Sequence, residues 1–140
     1  MRAPLPYSTT VSTGSDLSGA AISLTLAQAA QQHNHPYLVI TPDINTANRL
    51  YHELAFFNPR LPILLFPDWE TLPYDYCSPH HSIISERLHA LYHLPQLTQG
   101  IVLVAVNTVL KKLPPCDHIQ RNSFIVQQGQ PLETTALRLL

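Results

Sequence analysis

Three short apolar runs constrain the fold of this chain most tightly: Tyr37-Leu38-Val39-Ile40, Ile63-Leu64-Leu65-Phe66 and the unbroken stretch Ile101 to Val106. A strand with one face in water alternates apolar and polar residues, whereas a strand covered by helices on both faces is apolar throughout, as in parallel sheets. Between and before the runs the pattern changes to a helical period. From Leu17 to Gln32, Ile22, Leu26, Ala29 and Ala30 share one side, with Thr25, Gln28, Gln31 and Gln32 opposite. Asp43 is a good N-cap for a helix carrying Ile44, Ala47, Leu50, Tyr51, Leu54 and Phe57, which Asn58-Pro59 closes. Ser82 is placed to cap a third helix reaching about Leu94. Helices alternating with three such strands predict an α/β fold, a parallel sheet with flanking helices.

The ends are less regular. Residues 1–16 are rich in Pro, Ser, Thr and Gly and read as an N-terminal arm or loop with a short strand near Thr10. After the third run a short helix is expected from Thr108 to Leu113, stopped by Pro114-Pro115. Asn122 to Gln127 reads as a strand, and Leu132 to Leu140 as the start of a helix without a stop signal, as in a piece of something longer. At 140 residues the chain fits one domain plus the beginning of another.

Charge and composition remove several function classes. The net charge is -1 and the only lysines are Lys111 and Lys112, so the chain has no broad basic field to neutralise phosphates. The two cysteines, Cys77 and Cys116, form neither a disulfide framework nor a metal-type pair, which reads as a reduced, cytoplasmic protein. MRAPLPYSTT lacks the apolar core of a signal peptide, and no run approaches the ~18 apolar residues of a membrane span.

The chemistry-bearing residues concentrate between Phe66 and Leu88, in a connection much longer than the two to six residues usual in α/β units. Cys77, His80 and His81, with His89 and His93 further on, are the candidate zinc ligands; C-x-x-H-H has no standard ligand spacing, and Ser85, Glu86, His89 and His93 share a polar helix face, so no metal is expected. Arg87 stands out, because Ile83, Ile84, Leu88, Leu91 and Leu94 define the apolar face of the same helix and Arg87 projects from its middle. A buried guanidinium must be paired, and Asp68, Glu70 and Asp75 are the natural partners, making Arg87 a structural tie between loop and helix. The rival reading aims Arg87 at a ligand or an adjoining domain. Trp69, Tyr74 and Tyr76, among prolines and few cations, resemble a protein interface or domain-packing surface more than a platform for bases. Glu70 and Asp75 have no recognisable substrate pocket as paired carboxylates, and no catalytic residue is assigned.

Gly14-Ser15-Asp16-Leu17-Ser18-Gly19-Ala20-Ala21 has the glycine spacing of the phosphate loop G-x-x-x-x-G-K-[ST], followed by a helix. Ala20 and Ala21 stand where the lysine and the magnesium-binding hydroxyl belong. Gly14, Ser18, Gly19, Ala20 and Ala21 therefore form either a simple helix-initiating turn or a decayed nucleotide site, and both readings predict no ATP hydrolysis. The alternatives of a nucleotide-dependent enzyme domain and of a small DNA-binding module stay open on these residues.

The segment DWETLPYDYCSPHHSIISERLHALYHLP resembles D-W-E-T-L-P-Y-D-x-x-S-P-H-x-x-I-I-S-x-R-L, near the start of bacterial transcription-repair coupling factors. SGAA, ITPDINTANRLYHEL and VAVNTVLKKLPP extend the likeness over nearly the whole chain. The resemblance implies the amino-terminal module that is similar to the excision-repair protein UvrB, with a helicase-like (RecA-like) α/β domain over residues 17–120. Residues 121–140 would begin a second, UvrA-binding type of domain. It further implies that the phosphate loop has lost its chemistry, so this part needs no cofactor, while ATP and magnesium serve a motor elsewhere in the full protein. That protein would be a DNA translocase that displaces stalled RNA polymerase and recruits UvrA, touching DNA through its motor. His81-Ser82 replaces a Gln-Asp pair frequent in the family, and the proline-rich loop has no counterpart of the UvrB hairpin that enters damaged DNA.

Overall fold

The computed structural model describes residues 17–69, 79–123 and 129. In chain order the elements are α1 (Ala20–Gln32), β1 (Pro36–Thr41), α2 (Ile44–Phe57), β2 (Ile63–Phe66), α3 (His81–His93), a 3-10 turn at Leu94–Gln96, β3 (Gly100–Ala105), α4 (Val106–Val109) and α5 (Cys116–Asn122). The strands form one parallel sheet in the order β1-β3-β2. β3 is the middle strand and every one of its residues is buried, which is why its sequence is apolar without a break. Its register sets Leu38 beside Val102 and Ile40 beside Val104 on one side, and Leu64 and Phe66 beside the same two valines on the other.

The two faces are covered unequally. Ile101 and Leu103 point toward α1 and α2, where Ala27, Ala30, Ala47, Leu50, Leu54 and Leu61 complete the main core. The alanines let the helices approach closely, and Ser23 Oγ, fully buried at their contact, donates to Glu53 Oε2. On the opposite face α3 packs over β2 and β3 through Phe66, Ala90 and Val104, with Leu64 and Leu91 beside them. No described helix covers the β1 half of that face: Leu38 and Ile40 are 61% and 53% exposed. An apolar groove of about 330 Å³ runs there, between β1, Val102, Leu94, Val109 and Leu113.

Local signals explain the element boundaries. Asp43 caps α2 by accepting from the Thr46 backbone N–H at 2.7 Å, and that bond holds its carboxyl below the usual range. Gly100 enters β3 at φ 135, where an added Cβ would lie 2.4 Å from the Pro62 carbonyl oxygen; the same carbonyl accepts from Ile101 N–H at 2.9 Å. Three expectations differ from the structure. The α3 cap is His80, whose Nδ1 accepts from Ser82 N–H and lies 2.7 Å from Ser82 Oγ, so Ser82 is inside the helix rather than at its cap. The buried stripe of α1 is Ser23, Ala27 and Ala30 with Ile22 exposed; the small residues face α2, where the Ser23 hydroxyl finds Glu53 as its partner. The helix after β3 starts at Val106 and ends at Val109, and α5 begins directly after Pro115, which presets its N-terminal backbone. The strand expected over Asn122 to Gln127 starts inside α5 and otherwise, like the helix start at Leu132, lies outside the described residues.

Candidate functional site

In a parallel sheet the carboxyl ends of the strands are where loops gather side chains that a rigid scaffold can hold in place. Here the carboxyl end of β2 runs into Pro67, Asp68 and Trp69, and α3 returns beside it with Arg87 on its buried stripe of Ile83, Arg87 and Ala90. Arg87 is only 4% exposed. Its guanidinium carbon lies 4.4 Å from the centre of the Phe66 ring and 4.3 Å from that of Trp69, and Nη1 donates to the Pro67 carbonyl at 2.5 Å. The planar cation is thus stacked between two aromatic rings and anchored to the backbone between them, an arrangement in which ring quadrupoles replace part of its lost hydration. Burial pushes its pKa down from the ordinary value and the nearby Asp68 charge opposes that shift.

Asp68 does not form a direct ion pair with Arg87. Its Oδ1 accepts from Lys111 Nζ at 2.8 Å and from the Trp69 backbone N–H at 2.8 Å. Desolvation raises the Asp68 pKa, but the Lys111 bond, the nearby Thr108 hydroxyl and the Trp69 N–H together outweigh it and leave the carboxyl below its ordinary 3.8. Thr108, 1% exposed at the start of the chain leaving β3, brings its hydroxyl beside this carboxylate without reaching hydrogen-bond geometry, so Oγ1 has no partner among the described residues. Lys111 follows one turn later, which links the ends of β2 and β3 through a charge pair. A cleft of about 450 Å³ opens on the other side of Asp68 and Trp69, toward Asn48 on α2 and Ser82 and Glu86 on α3.

Of the residues singled out from sequence, Asp68, Trp69 and Arg87 come together here. Glu70, Tyr74 and Asp75, together with Cys77, lie outside the described residues, as does Gly14. Phe66, Pro67, Thr108 and Lys111 belong to the same cluster and were not singled out. Phe66 carries no signal beyond its strand, but Lys111 stands in a chain with no lysine before it, and a lone cation one turn past a strand end was a usable hint.

At the other candidate, Gly19 is the N-cap of α1 at φ 59, Ser18 O accepts from Ala21 N–H at 3.3 Å, and Ala20 and Ala21 form the first turn. The first turn therefore offers backbone N–H groups but neither the ammonium nor the hydroxyl that triphosphate and magnesium require. Lys111, one of the two lysines, is held by Asp68. Among the described residues this turn does not fit ATP with magnesium. Among the described residues no group of three histidine, cysteine or carboxylate side chains converges for a metal ion; His80 and His81 sit at the start of α3, and the His89 and His93 rings lie 4.3 Å apart, tilted by 57°, along that helix.

No family model matches the chain. It is 39% identical over 123 residues, 88% of its length, to the transcription-repair-coupling factor of Escherichia coli K12. It is likewise 39% identical over 126 residues to that of Haemophilus influenzae, and 32% identical over 130 residues to that of Myxococcus xanthus. The chain spans 11% of the length of each of these relatives. Identity at this level over nearly the whole chain places the sequence: the chain belongs to the family of transcription-repair-coupling factors.

Proposed function

We propose that this chain is a non-catalytic packing and recruitment part of a transcription-repair-coupling factor, a DNA translocase that displaces stalled RNA polymerase and brings UvrA to the lesion. ATP and magnesium then serve a motor in the remainder of the protein, DNA is touched by that motor, and the site of action is the cytoplasm. The observation that carries the reading is the bare apolar half of the sheet, where Leu38 and Ile40 stay exposed beside Val102 and Val104. Large apolar interfaces of this kind are typical of permanent rather than transient contacts. The cluster at the strand ends supports the same reading, since the Arg87 charge is taken up by two rings and a carbonyl inside the fold.

Leu38→Glu is the direct test. It should leave the melting of the 140-residue chain nearly unchanged and lower that of the full-length protein by several degrees; equal melting of both full-length forms refutes packing on this face. Calorimetric titration with ATP separates the nucleotide-enzyme alternative, because affinity near micromolar for this chain contradicts a decayed loop. Salt-dependent retention of DNA by the chain alone would favour the DNA-binding alternative instead.

A further inference from the structure

We propose, independently of the packing role above, that His89 and His93 form a two-histidine chelate on the polar side of α3 for a divalent ion of the zinc, nickel and copper class.

A helix brings residues four apart onto one side, one turn above the other. Two histidines at that spacing are the zinc-binding pair of a metalloprotease helix. In α3 the two rings lie 4.3 Å apart, tilted by 57°. His89 is exposed and His93 half-buried, so solvent reaches both. Other histidines of the chain are committed locally through Nδ1: His33 to the Ala29 carbonyl and the Tyr37 hydroxyl, His80 to Ser82, and His118 to the Asn122 amide.

The surroundings favour a cation. His93 stands in the last turn of the 13-residue α3, toward the end where the carbonyl dipoles leave a partial negative charge. Glu86, the only carboxylate of α3, lies one turn before His89 on the same side. Glu86 and His89 both border an open cleft of about 510 Å³ along Ile63, Leu64 and Leu65, which leaves room for water to complete the coordination. Imidazole suits zinc, nickel and copper, whereas magnesium takes oxygen ligands. A structural zinc site needs four protein groups, and among the described residues not even three converge. Two imidazoles and water therefore make an exchangeable site rather than a seat for a resident ion.

The test uses the untagged 140-residue chain carrying Cys77→Ser and Cys116→Ser, so that no thiol competes for the metal. In isotope-labelled protein, substoichiometric copper(II) should broaden the amides from Glu86 to His93 before any others. Losing an outer partner of a metal ligand already costs about 10–100-fold in affinity, so His89→Ala and His93→Ala should each weaken zinc binding in calorimetry at least about tenfold. Saturating zinc should raise the melting temperature, because the chelate exists only while α3 is helical. Either substitution should abolish that rise, EDTA should reverse it, and magnesium should not produce it. Without metal both variants should melt like the parent; His93→Gln, closer in bulk and polarity, reads the same loss where alanine loosens the helix. Zinc affinity unchanged in His89→Ala or His93→Gln, first broadening at His33 and His35 or at His80 and His81, or an equal rise in melting with magnesium would each overturn the proposal.

Discussion

Replacing Arg87 by alanine removes a cation that is costly to bury and several interactions that depend on it. The two ring contacts are worth about 1–2 kcal/mol each when desolvated, and the charge-assisted bond to the Pro67 carbonyl adds about 1.5–3 kcal/mol. Alanine also leaves that carbonyl unpaired in a buried position and opens a gap between Phe66 and Trp69. Against these losses stands recovery of the guanidinium's desolvation, a term of several kcal/mol. The balance gives an expected loss of about 3 kcal/mol, or a melting temperature lower by roughly 10 °C for a domain of this size. Arg87→Met keeps the stem and the packing volume while avoiding the buried charge, so it should cost about 1 kcal/mol. Urea titration followed by the emission of Trp69 reads both quantities, since Trp69 is the sole tryptophan. Arg87→Ala with a midpoint within about 0.5 kcal/mol of the parent and unchanged emission would refute the stacked-cation account.

Gly100→Ala should destabilise by about 2–3 kcal/mol, because φ 135 strains any L side chain and the new Cβ meets the Pro62 carbonyl; thermal melting checks it. Leu54→Ala empties a fully buried position between α2 and the sheet and should cost about 2–5 kcal/mol in denaturant titration. Asp68 has a folded-state pKa below its ordinary 3.8, so the stability it contributes is present above the carboxylate range and is lost as pH falls through the folded value. Asp68→Asn should therefore be less stable than the parent at neutral pH, with the gap closing in urea melts as the pH falls below 3.8 and through the lowered folded value. A gap that stays constant with pH would show that the charge of Asp68 is not what stabilises the strand ends.

The parts of the fold governed by local patterns could be read from sequence. The three apolar runs became the three strands, to within a residue or two, but only β3 is buried along its whole length, and on β1 Leu38 and Ile40 stay exposed on the face where helices were expected. Asp43 capped α2 as its side chain and position require, and the helical period put Arg87 on the buried side of α3 with Ile83, although Leu88 and Leu94, expected on the same face, are exposed. Contacts between distant segments were not readable. Lys111 meets Asp68 across 43 positions, and nothing local distinguishes that pairing from one with Arg87. The stacking of Arg87 on Phe66 and Trp69 depends on the turn after β2, which periodicity does not describe. The partner that satisfies buried Ser23 likewise lies 30 residues away, at Glu53, which no local pattern announces.

The strand order has a bearing on synthesis. Among the described residues each outer strand pairs only with β3, the last of the three to be made. At ribosomal rates of about 5–20 residues per second, the newly emerged β1 waits several seconds before residues 100–105 exist to receive it. Throughout that interval Leu38, Val39 and Ile40 form a sticky, uncharged stretch on a nascent chain. This makes slow elongation a hazard while β1 waits for β3 to be made.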